Sequence, residues 1–250
     1  MLFLRACRDK EAFYAELADG RIKRLAGPPY EGAVYTGDEY DPAEVKLLPP
    51  CEPTKIVAVG LNYAKHAVEM KVRLAGKPVL FIKPPTSLIA HGEAIVWPAA
   101  SQRVDYEAEL ALVIGKKCKG VSPEEAPDYI FGYTALNDVT ARDLQKADVQ
   151  WTRAKSFDTF CPVGPYIDTA YNPAGRRVQS VVDGVVRQEG NTDDMLFSPA
   201  ALVSFISECM TLLPGDIIAT GTPEGIGPLR RGGVVEIRID GLETLRNSVE

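Results

Sequence analysis

The sequence predicts a β-rich α+β fold in which a few helices cover the strands. Short apolar, partly β-branched runs bounded by turn residues recur along the chain, while stretches of helical periodicity are few. Regular strand–helix alternation is missing, which disfavours a doubly wound parallel sheet. There is no internal repeat or low-complexity segment, so a solenoid is excluded as well.

The elements follow in order. Residues 1–48 read as a small N-terminal domain, with Asp19-Gly20 as a tight hairpin turn between residues 15–18 and 21–25. Pro49-Pro50 and Pro53 mark its boundary, because proline stiffens the chain and donates no backbone hydrogen bond. The second domain, 55–250, has strand candidates at 56–60, 79–83, 107–114, 178–182, 217–220 and 234–239. Asp183-Gly184 predicts another hairpin. Ser198-Pro199 reads as an N-cap followed by proline in the first helical position, with apolar residues at helical spacing through Met210. Shorter helix candidates lie at 62–70 and 140–149.

Composition removes several classes of function. The 28 basic and 34 acidic residues leave a formal charge of −6, which argues against a nucleic-acid surface. Only two histidines are present, so no zinc site needing three can form. The five cysteines are scattered, odd in number and never spaced C-x-x-C, as expected of reduced thiols. The apolar start is too short for a signal-peptide core, and no apolar run approaches the ~20 residues of a membrane span. A cytoplasmic protein without membrane partners is the expectation.

Among chemically active residues, Asp105, Glu107 and Glu109 stand out. On a strand they share one face, where three like charges repel unless they point into water or meet a cation. The apolar run 112–114 carries this strand into a core, placing the carboxylates at a rim where Mg²⁺ or Mn²⁺ could bind. Asp138 precedes a helix candidate and reads either as its cap or as a further oxygen ligand. His66 and Glu69 are i,i+3 neighbours, so the carboxylate can orient the imidazole as a general base, or the two can form an ordinary surface pair. His91 has no such partner and reads as structural. Lys155 is either surface charge or a partner for a substrate carboxylate or enolate. Cys161 would be the nucleophilic rival, although a thiol before proline reads as packing. The Gly-rich stretch 213–227 matches neither a dinucleotide fingerprint nor a phosphate-binding loop.

Five stretches, in order, resemble the fumarylacetoacetate hydrolase family: Val59-Gly60-Leu61-Asn62-Tyr63, residues 105–109, residues 137–143, Lys155-Ser156-Phe157-Asp158, and Thr220-Gly221-Thr222-Pro223. The resemblance runs from about Lys55 to the end of the chain and implies a mixed β-sandwich roll, usually dimeric. By matched position it implies Glu107, Glu109 and Asp138 as ligands to Mg²⁺, Mn²⁺ or Ca²⁺, with His66 and Glu69 as the proton-transfer dyad. Lys155 joins them as a catalytic group, and Gln145 and Thr222 face the substrate. The chain is similar to the bacterial members that isomerise 2-hydroxyhepta-2,4-diene-1,7-dioate, and to their decarboxylase relatives. The implied chemistry is a metal-stabilised enolate of a 2-oxo acid. Acylpyruvate hydrolysis, oxaloacetate decarboxylation and a non-catalytic metal-binding scaffold are the alternatives.

Overall fold

The computed structural model describes residues 1–70 and 76–250. It is β-rich, as expected, with four short helices among the described residues: α1 (Ala64–Glu69), α2 (Arg142–Ala147), α3 (Thr152–Lys155) and α4 (Pro199–Cys209). None is long and apolar enough to cross a membrane. The strands form sheets of twelve, five and three. The main path of the largest sheet runs Tyr35–Tyr40, Arg21–Leu25, Glu11–Ala18, Leu2–Arg8, Cys161–Asp168, Ile130–Asn137, Ala108–Ile114, Ile217–Ala219, Ile56–Gly60, Val79–Lys83.

Ala108–Ile114 is buried along its whole length because both faces are covered. Ala108 and Leu110 meet Val178, Val235, Ile237 and Leu245 of the five-stranded sheet, which makes this part a sandwich. Leu112 and Ile114 lie against Leu202, Val203 and Ile206 of α4. Ala111 and Val113, on the opposite face, join Ile56, Ile217 and Val163 in a third cluster. Each large aliphatic side chain buried here contributes about 1.5–3 kcal/mol.

Both hairpin expectations hold. Asp19 and Gly20 have φ of 54° and 73°, and Asp183 and Gly184 have 50° and 79°, the paired positive values of a type I′ turn. Ser198 accepts the Ala201 N–H at 3.3 Å and Pro199 starts α4. Several boundaries differ from expectation: the helix expected over 62–70 spans 64–69, and the strands expected over 178–182 and 217–220 span 177–182 and 217–219. The helix expected over 140–149 is limited to 142–147, because Thr140–Ala141 pairs as a short strand with Val104 and Asp105. The strand expected over 107–114 starts at Ala108.

The N-terminal strands extend the large sheet, with Leu2 paired to Asp168 and Phe3 to Ile167. Their own core of Leu4, Ala6, Phe13 and Ile22 is closed by Tyr166. After Pro53 the chain is tied down by Asp216, which is fully buried. Its carboxylate accepts Thr54 N–H at 2.9 Å, Thr54 Oγ1 at 2.7 Å and Leu213 N–H at 2.8 Å, and pairs with the Lys55 ammonium. Asp216→Ala strips these donors of their acceptor and is expected to cost about 3 kcal/mol in urea unfolding. A loss below about 0.5 kcal/mol would contradict this anchoring role.

Candidate metal centre and active site

Glu107 lies in the gap between two strands of different sheets, Val104–Tyr106 in the three-stranded one and Ala108–Ile114 in the large one. At that gap the Asn137 side chain replaces a ladder partner, its Oδ1 accepting the Glu107 N–H at 2.9 Å. The next residue closes the link, Asp138 N–H donating to the Glu107 carbonyl at 3.0 Å. This brings Asp138 beside Glu107 and Glu109, with one carboxylate oxygen from each within 4.8 Å of the others. All three residues are buried. Asp105 does not join them. Its carboxylate is held by Arg103 at 2.8 Å and by Arg142 at 2.9 Å, and the strand expected to carry all three acids is interrupted at Glu107. Nor does Asp138 cap α2, whose N-cap is Ala141.

Three buried cations surround the cluster. Lys155 Nζ donates to Glu107 Oε2 at 2.8 Å and Asp138 Oδ2 at 2.6 Å. Lys83 Nζ donates to Asp138 Oδ1 at 2.6 Å, and the Arg142 guanidinium bridges Glu107 and Asp105. Burial alone would raise the Glu107 carboxyl, but Lys155 and Arg142 outweigh it and hold it well below the usual range. Burial would likewise lower Lys155, and Asp138 and Glu107 reverse that. Glu109 is the exception. Burial first, then the Asp138 and Glu107 charges, push its carboxyl well above the usual range, and its hydrogen bond among the described residues is the Gly221 N–H at 2.7 Å. An all-oxygen donor set with one carboxyl lacking a cation fits a hard divalent ion.

His66, Gln145 and Thr222 line the same cavity, which has about 40 Å³ open to water, and Glu69 reaches it only through His66. His66 enters from α1 with Nδ1 2.9 Å from Glu69 Oε2, and Glu69 also accepts the Gly225 N–H at 3.1 Å. Gln145 Oε1 accepts from Arg142 at 2.5 Å, which leaves its amide N–H groups for the cavity. The Thr222 hydroxyl is already committed, donating to Ala108 O at 2.8 Å and accepting from Gln188 Nε2 at 2.7 Å. His91 is elsewhere, accepting the Arg246 N–H at 3.2 Å. Cys161 is fully buried, its thiol pushed up to about 12 by burial, and it does not line the cavity.

Sequence reasoning missed Lys83, Phe81 and Trp151, and gave Arg142, inside the 137–143 stretch, no role. The available signal for Lys83 was an ammonium ending the apolar run 79–83 just before Pro84-Pro85. Trp151 gave none, standing in a polar stretch.

Residues 55–250 match the fumarylacetoacetate (FAA) hydrolase C-terminal family. The chain belongs to this family. Residues 1–50 match the Rv2993c-like N-terminal family. Oxaloacetate tautomerase YisK of Bacillus subtilis is 42% identical over 225 residues, covering 84% of this chain and 75% of that protein. The crystal structure of 2-hydroxyhepta-2,4-diene-1,7-dioate isomerase from Mycobacterium marinum is 42% identical with a TM-score of 0.91, covering 100% and 98% of the two chains. Maleylpyruvate hydrolase from Sphingobium sp. SYK-6, solved with manganese(II) and pyruvate, is 30% identical with a TM-score of 0.81 and coverage of 100% and 98%. The named members of this family are enzymes, and their activities include isomerase, hydrolase and tautomerase reactions.

Because burial and the Asp138 and Glu107 charges push the Glu109 carboxyl upward and an ion needs the carboxylate, Mn²⁺ binding is expected to be linked to proton release and to tighten as pH rises. Calorimetry in buffers of different ionisation enthalpy reads this directly. In the metal-free protein the raised carboxyl favours folding at low pH, and that contribution is lost as pH climbs through its folded-state pKa. Glu109→Gln keeps the shape and removes the charge. It is expected to abolish Mn²⁺ binding while stabilising the metal-free protein at high pH by about 1 kcal/mol or more. Retained Mn²⁺ affinity in that variant would remove Glu109 from the donor set.

Proposed function

We propose that the protein is a divalent-metal-dependent enzyme that interconverts the enol and keto forms of 2-oxo dicarboxylic acids. The observation that carries this reading is the meeting, in one buried cavity, of the Glu107–Glu109–Asp138 oxygens, the Lys155 ammonium and the Glu69-held His66. The isomerase and tautomerase names among the relatives support the same reaction class. A manganese(II) and pyruvate complex in a hydrolase relative supports both a metal and a 2-oxo acid.

When bound, the ion supplies a Lewis acid for the substrate's 2-oxo and carboxylate oxygens and stabilises enolate charge. Glu107, Glu109 and Asp138 would hold it; Mg²⁺ and Mn²⁺ suit these donors equally, and Ca²⁺ is accommodated by the same oxygen chemistry. Lys155 adds a fixed positive charge beside the oxygen on which negative charge gathers. Glu69 holds His66 by Nδ1, which leaves Nε2 to take the proton from the C2 hydroxyl and return it at C3, so no proton is gained or lost overall. Gln145 donates its amide N–H to a substrate oxygen, and Thr222, its hydroxyl proton spent on Ala108, shapes the wall.

A panel of 2-oxo and 2,4-dioxo acids with Mg²⁺ or Mn²⁺, followed by loss of enol absorbance and product identification, tests the reading. Glu107→Ala is expected to abolish metal-dependent turnover. His66→Ala is expected to lower kcat by about 10²–10⁴-fold with little change in Mn²⁺ affinity. Full activity in His66→Ala would remove the dyad from the reaction. Accumulation of cleaved acids would reassign it to C–C hydrolysis, and release of CO₂ to decarboxylation.

A further inference from the structure

We infer that Phe81 and Trp151 form a specificity-determining wall that confines the site to short 2-oxo acids. This rests on the function proposed above and names its substrate class by length. Beside the inner cavity of about 40 Å³ lies a groove of about 500 Å³ along the edge strand Val79–Lys83 and residues 149–156. Among the described residues, Phe81 and Trp151 are the two that line both spaces. They are therefore the partition between them.

The partition is held on several sides. The two rings meet edge-on, with centroids 5.4 Å apart at 76°. The Lys155 ammonium stands 5.1 Å from the centroid of the Phe81 ring, fixing that ring from the catalytic side. The Trp151 carbonyl accepts the Lys155 N–H at 3.0 Å, so wall and ammonium ride on one helical turn. Behind the indole is Gly60, where a Cβ would stand 2.7 Å from the Trp151 ring. No larger residue fits there with the indole in place.

The inner cavity, with its about 40 Å³, takes the short end of a 2-oxo acid. A longer chain would have to pass where the indole stands. Beyond it the groove is ready for such a chain: Val79, Ile82 and the almost fully exposed Val149 supply apolar surface. Four-carbon 2-oxo dicarboxylic acids are thus favoured over those of six or seven carbons.

The test compares kcat/KM for four-carbon and six-carbon 2-oxo dicarboxylic acids in the Mn²⁺-loaded wild type, Trp151→Phe and Trp151→Ala. The six-to-four ratio is expected to rise in that order, by about ten-fold or more in Trp151→Ala, while Mn²⁺ affinity stays within a few-fold. A merely structural role for Trp151 would depress both acids equally, and an unmoved ratio overturns the wall. If the wild type binds Mn²⁺ but converts neither acid, the proposed reaction fails on its own and the wall is read by binding. Calorimetry with unbranched monocarboxylates from butanoate to octanoate then decides. Trp151→Ala must gain affinity with length beyond four carbons where the wild type does not; the same length dependence in both proteins overturns the wall.

Discussion

Everything around the cavity answers to one demand, the need of buried carboxylates for positive charge. Taking a carboxylate out of water costs several kcal/mol unless a partner is placed close to it. Asp105, Glu107, Glu109 and Asp138 are all buried, and Lys83, Arg142 and Lys155 are buried with them. These partners come from three places: the edge strand Val79–Lys83, the start of α2 and the end of α3. Two very short helices with no side-chain cap at either start are thereby pinned by ion pairs rather than by their own propensity. Glu109, left without a cation, is the position where the scaffold is least content and a metal has the most to offer.

The same economy governs the loops that carry the dyad. The Asn62 amide nitrogen donates to Phe197 O at 3.0 Å and Thr220 O at 2.7 Å, while its oxygen accepts the Phe197 N–H at 2.8 Å. One side chain thus ties the approach to α1 to two distant loops. Gly221 lies against it with φ of 94°, and a Cβ there would stand 2.7 Å from Asn62 Cβ and 3.0 Å from Val59 O. Only glycine fits, and its N–H is the one that reaches Glu109. Support for the metal oxygens and support for His66 are therefore mechanically one structure.

Much of the fold was legible because it rests on local rules. Asp-Gly pairs specify their own turns, Ser198-Pro199 starts α4, and the apolar run 56–60 and the alternating run 234–239 become strands with those limits. The carboxylates were legible as a group because three acids within five residues, followed by an apolar run, need an explanation. What stayed hidden depends on distant residues. A side-chain amide standing in for a ladder partner at Glu107 cannot be read from residues 104–114. Asp138 was equally compatible with capping and ligation; that it does not cap α2 depends on the pairing of residues 140–141 with the distant Val104 and Asp105. The joining of Leu2 and Phe3 to the strand ending at Asp168 is invisible to any short window.

The position of Glu107 between two sheets also orders events in time. Lys155 reaches it across 48 residues, Lys83 reaches Asp138 across 55, and Gly221 reaches Glu109 across 112. Loops of that length close slowly, and their entropy must be met before the charges meet. The cluster is complete only when both sheets and the two short helices have docked. An ion bound there cannot nucleate the chain. It would act as a latch on the finished molecule, binding the folded chain in preference to the unfolded one.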